Sequence, residues 1–165
     1  MDGTHEHHGQ GAGVRGAQSR RELTRTAISA TLHCLTGCAI GEVAGMVIGT
    51  GLGWSPTATV VLSVVLAFVF GYSLTIAPVL RSGMTLRAAV GVALAADTVS
   101  IAVMEFVDNA IMLLVPGAME AGLTSPLFWG SLAVALAIAF AVTVPVNRAL
   151  ISRGKGHAVV HHHHS

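Results

Sequence analysis

The stretch His33-Cys34-Leu35-Thr36-Gly37-Cys38-Ala39-Ile40-Gly41-Glu42 holds an imidazole, both cysteines of the chain and a carboxylate. It lies inside an apolar run long enough to cross a bilayer, where such side chains are costly and mark a site or a pathway. Thiolate and imidazole suit Cu(I) or Zn(II), whereas carboxylate alone suits harder cations. On a helix, Cys34, Cys38 and Glu42 form one i, i+4 row. His33, Cys34, Cys38 and Glu42 are therefore the candidate ligands of a copper or zinc ion. The cysteines lack the Cys-x-x-Cys spacing of a thioredoxin-type pair, and an intrahelical disulfide at this spacing is geometrically poor. Packing alone is the alternative, with His33 bonded to a backbone carbonyl and the cysteines acting as small buried hydrophobes.

A second polar row lies further along the chain. Asp97, Ile101, Met104 and Asp108 share one helical face, with Glu105 at its edge. Asp97 is roughly 15 Å above Arg87 along a helix and Cys38 roughly 18 Å above Thr26, which puts both near mid-membrane. Asp97, Met104 and Glu105 then extend a path from the far face to the thiols, with Thr98 and Ser100 available to hydrogen-bond within it. Glu42 and Asp97 read as a cation or proton relay, since both are deep enough to need a partner, a proton or water. Asp108 reads as an exposed helix end.

The elements that must carry these rows are transmembrane. The 165 residues are 53% hydrophobic and 10% charged, with a mean hydropathy of +0.71, whereas a soluble domain carries about 25% charged residues. Segments 26–50, 57–80, 86–107 and 126–147 each meet the need for about 20 mostly apolar residues. Their continuous apolar runs read as helices rather than alternating strands. The expected fold is an all-α membrane protein of four transmembrane helices. A His- and Gly-rich leader over 1–25, disordered by composition, precedes the helical domain at 26–150, and a basic, His-rich tail covers 151–165. The first span exceeds a signal-peptide core and reads as retained.

Arg15, Arg20, Arg21 and Arg25 precede span 1; Arg81 and Arg87 separate spans 2 and 3; Arg148, Arg153 and Lys155 follow span 4. All nine basic residues thus fall on one side, so both termini are expected in the cytoplasm. Trp54 and Trp129 belong to the opposite interface, as an aromatic belt places them. One lysine against eight arginines, with abundant Ala, Val and Gly, points to a GC-rich bacterial genome and hence to a bacterial inner membrane. Basic residues beside a bilayer suit anionic lipid rather than nucleic acid.

Gly37, Gly41, Gly45 and Gly49 form a small-residue row beside the cysteines, the pattern that lets another helix backbone come close. It docks helix 1 into the bundle, within the protomer or across a dimer. The two hairpins also echo each other. Ser55-Pro56 and Ser125-Pro126 open spans 2 and 4 as N-cap and first helical residue, and both spans close on Pro and Arg. They read either as a degenerate parallel repeat, with Glu42 and Asp97 as counterparts, or as ordinary recurrence of hairpin caps. His5, His7 and His8 at one terminus and His157 with His161–His164 at the other suit metal capture, or in the last case a tag remnant.

The HCxxGCxxGE stretch in helix 1, four helices, and an ending of Pro145-Val146-Asn147-Arg148 with Arg153-Gly154-Lys155-Gly156-His157 resemble a family of small bacterial membrane proteins of unknown function. The resemblance covers about residues 25–160. It implies the four-helix architecture and supplies no activity. Some mercury-uptake membrane proteins also carry a cysteine pair in their first helix, a similarity of arrangement only. The leading expectation is handling or transport of a soft or borderline metal ion, copper first, with no enzymatic step. The alternatives are a membrane thiol-redox component, or a non-catalytic assembly subunit docking through the glycine row. The chain carries no nucleotide-binding motif, so movement would follow a gradient or a partner. Expected partners are membrane lipid, a second copy or another membrane protein, and a cytoplasmic metal donor, with no nucleic acid.

Overall fold

The computed structural model describes residues 8–161, and the side chains of 13–154 among them. Four helices follow in order: α1 His8–Gly51, α2 Pro56–Arg81, α3 Leu86–Leu114 and α4 Pro126–His161. There is no strand among the described residues, and all four helices are long and apolar enough to cross a membrane. The chain is therefore an all-helical, multi-pass membrane protein by length and composition.

Local chemistry explains where the helices turn. The Ser55 hydroxyl accepts a hydrogen bond from the Ala58 N–H at 3.3 Å, with Pro56 in the first turn of α2. The Ser125 hydroxyl accepts from the Leu127 N–H at the start of α4. Gly53 and Gly83 take positive φ just past the ends of α1 and α2, a conformation that costs other residues about 1 kcal/mol or more.

α1 and α4 outrun the segments read from hydropathy at the arginine-bearing end, and α3 outruns its segment at the other. α1 continues back through Arg25 to His8, so the described part of the leader, 8–25, is helical rather than disordered. Ala17, Gln18, Arg20, Arg21, Glu22 and Leu23 are good helix formers, and they extend a helix that the apolar span has already nucleated. α4 likewise continues past Arg148 to His161 instead of stopping as α2 does after Arg81. His5, His7 and His162–His164 lie outside the described residues, as do the side chains of His8, His157 and His161.

Neighbouring helices run antiparallel around a ring, α1 on α2, α2 on α3, α3 on α4 and α4 on α1, and α1 also touches α3 across the diagonal. α1 thus meets every other helix. The outward faces are apolar, with Val61, Val65 and Val69 on α2, Phe106 (76% exposed) and Leu113 on α3, and Ile138 on α4. The interior holds small and polar side chains instead, including Thr31, Glu42, Asp97, Ser100, Glu105, Asp108 and Asn147. Polar groups turned inward and apolar ones outward suit a lipid solvent. Trp54 and Trp129 sit half exposed at the end away from the arginines, and the Trp129 indole donates to the Leu123 carbonyl at 2.7 Å.

Candidate functional site

The closest helix packing sets the position of everything else. Gly37, Gly41, Gly45 and Gly49 of α1 lie against Gly71, Ala67, Ser63 and Thr59 of α2. A Cβ on Gly37 would come within 2.6 Å of the Gly71 Cα, and one on Gly41 would collide with the backbone at Ala67. The second row, Thr59-Ser63-Ala67-Gly71, is buried along α2 with the same spacing of four. Two interlocked small-residue rows bring the backbones together, and the Ser63 hydroxyl donates to the Glu42 carbonyl at 3.4 Å across the seam. This docking within the protomer turns the cysteine row of α1 towards α3.

At the centre, Cys34, Cys38, Ala67, Ile101, Met104 and Ala139 form one buried cluster, with Leu35, Phe68, Tyr72 and Val107 packed against it. Both cysteines are free thiols. Cys38 and Met104 are fully buried. The Cys34 thiol points at Asp97 Oδ1, 3.9 Å away, and Cys38 lies beside Glu105. Two thiols and a thioether therefore share a core flanked by carboxyls.

Towards the arginine-bearing end, a cleft of about 570 Å³ reaches in from the surface, lined by Arg25, Ser29, His33, Thr75 and Asp97 among others. His33 is exposed there, and its Nε2 lies 3.0 Å from the Leu74 carbonyl of α2, to which it donates. It stands in the cleft with Asp97, outside the buried sulfur cluster. In the interior, the Ser100 hydroxyl donates to the Asn147 side-chain oxygen Oδ1, and the Asn147 side-chain nitrogen donates to Thr31 Oγ1 at 2.9 Å. These three buried groups tie α3, α4 and α1 together. Thr98 faces outward instead and pairs with the Tyr72 hydroxyl at 2.8 Å.

Towards the opposite end, Glu42, Glu105 and Asp108 line a cavity of about 40 Å³ with Ser63, Asn109, Met46, Met112 and Met119. Asp108 is 2% exposed, which corrects its reading as an exposed helix end: α3 continues to Leu114 and the connection to α4 covers it. Glu42 belongs to this pocket rather than to the thiols, because the pocket is one turn further along α1 from Cys38. The two carboxyls that a parallel repeat would match are consequently at different depths. Asp97 is level with Cys34 and Glu42 is two turns beyond it, roughly 12 Å along the axis.

The residues singled out from sequence are thus divided among three places. Cys34, Cys38 and Met104 meet at the centre, His33 and Asp97 meet in the cleft, and Glu42, Glu105 and Asp108 meet in the far pocket. Among the described residues, no three His, Cys, Asp or Glu side chains gather closely enough to hold a bare ion between them. Asn147 is a further polar residue of the interior that the sequence marks only as a lone amide in a largely apolar helix. The α2 row was equally visible as a repeat of small residues every four positions.

A family model described as a domain of unknown function (DUF4396) matches residues 24–156. No curated protein and no solved structure matches the chain.

Proposed function

We propose that this chain, which belongs to the family of the domain of unknown function DUF4396, handles a soft or borderline metal ion as cargo in the bacterial inner membrane, with copper(I) first. One observation carries the reading: two thiols and a thioether share a buried core that lies between a cleft at the arginine-bearing end and a small cavity towards the other. Sulfur donors of this kind select Cu(I) over hard cations. The nine-to-zero division of basic residues supports a cytoplasmic location for both termini and for the His33 cleft. In that orientation His33 and Asp97 meet the ion on the cytoplasmic side, Cys34, Cys38 and Met104 hold it at the centre, and Glu42 and Glu105 stand beyond. Binding displaces a thiol proton, and Asp97 Oδ1, at 3.9 Å from the Cys34 sulfur, is placed to accept it. Passage requires the core to part, driven by a gradient or by a partner.

The test is metal stoichiometry in purified, tag-free protein under reducing conditions. Cys34→Ser and Cys38→Ser should each lower bound Cu(I) strongly, because serine is a poor ligand for soft ions. Glu42→Gln should retain most of the bound ion and slow its movement. His33→Ala should weaken capture from the cytoplasmic side, and removal of the terminal histidines should matter least. A wild type that takes up no Cu(I), Zn(II) or Hg(II) beyond the double-cysteine variant ends the reading. Thiol trapping of a partner would then move a redox role for Cys34 and Cys38 into its place.

A further inference from the structure

We infer that Glu42, Glu105 and Asp108 form a second site in the far half of the bundle, which takes a hard divalent cation held through water. Three observations carry it. The carboxyls are 7%, 5% and 2% exposed respectively. Each lines the same cavity and leaves one oxygen, Glu42 Oε2, Glu105 Oε1 and Asp108 Oδ1, without a hydrogen-bond partner among the described residues. Among the described residues, no Lys, Arg or His lines that cavity. Buried oxygens of this kind are costly unless something satisfies them.

The dimensions narrow the ligand. A volume of about 40 Å³ admits roughly three water-sized particles, enough for an ion with part of its hydration shell. The carboxyls do not converge closely enough for direct three-fold ligation, so water must complete the coordination. Small divalent cations of the Mg²⁺ type retain several waters and bind one or two carboxylates. The carboxyl groups of Glu42, Glu105 and Asp108 and the Ser63 hydroxyl line the cavity, a hard oxygen donor set, and the Asn109 amide holds Glu105 in place by donating to its other oxygen, Oε2, at 3.4 Å. The Met46, Met112 and Met119 thioethers in the wall are neutral and give the ion no charge compensation.

This inference stands apart from the sulfur reading, and the two fail separately. The probe is Mn²⁺, which reports its own binding by electron paramagnetic resonance, added to the full chain in lipid nanodiscs. Wild type and the Cys34→Ser variant, whose altered side chain faces Asp97 and not the cavity, should bind it alike, and Mg²⁺ should compete. Glu42→Gln, Glu105→Gln and Asp108→Asn should each weaken binding by roughly 10- to 100-fold, the usual loss when a group acting through a water is removed. Glu120→Gln, an exposed carboxyl outside the cavity, should leave it unchanged. Thermal unfolding of the wild type with and without MnCl₂ needs no variant and should show stabilisation. Absence of that stabilisation, binding that survives all three carboxyl changes, or displacement by Ag⁺ in preference to Mg²⁺ would overturn the site.

Discussion

A thioether packed with two thiols makes the centre of the bundle soft, and Met104 is the residue on which that character can be tested without altering volume much. Met104→Leu keeps the core filled, and swaps of this kind usually cost under about 1.5 kcal/mol. Helical content and melting should therefore stay near the parent while Cu(I) affinity falls, as read by competition with a chromogenic chelator. Unchanged affinity would remove Met104 from the ligand set and leave the cysteines alone. Asn147 makes the opposite kind of prediction. Its amide joins Ser100 and Thr31 inside the bundle, so Asn147→Leu should lower stability by about 1 kcal/mol, the scale of interhelical hydrogen bonds in membranes, with metal stoichiometry retained.

At the scale of the element, α1 and α2 act as one unit because their small-residue rows interlock. Leucine at Gly41 has no room, since the α2 backbone at Ala67 and Leu66 occupies the space a Cβ would take. Gly91 on α3 offers the control, as nothing lies within 4 Å of its added Cβ. Gly41→Leu should abolish recovery of monodisperse protein from detergent, whereas Gly91→Leu should elute as the parent does. Equal behaviour of the two would remove the docking role of the row. The same seam explains why the cysteines face α3: rotating α1 to move them would pull four glycines out of register with α2.

For the whole molecule, the helical extensions of α1 and α4 emerge at the same end, together with Arg25, Arg81, Arg87 and Arg148, while the tryptophans mark the other. A cytoplasmic reporter fused after His157 should be active and a periplasmic-type reporter at the same point silent, with the reverse at Gly122 in the α3–α4 connection. The opposite pattern would invert the assignment of the two recesses and make the His33 cleft the outer one.

The presence of four helices long and apolar enough to span a membrane was legible in the chain alone. Bilayer thickness dictates the length of an apolar run, and backbone hydrogen bonding in lipid leaves few alternatives to a helix. The faces of α1 were legible for the same local reason: residues four apart share a face whatever surrounds the helix. What a sequence cannot specify one helix at a time is rotation and depth relative to its neighbours. Tertiary packing put Asp97 against Cys34, brought Met104 to the thiols and drew Glu42 away to Glu105 and Asp108. It also left His33 bonded to a carbonyl of α2 and buried Asp108 beneath the α3–α4 connection. The His-Cys-Cys-Glu stretch looked like one site because its residues are close along the chain. The fold distributes them over three places because successive turns of α1 meet different levels of α3, and the α1–α2 seam determines which level each turn meets.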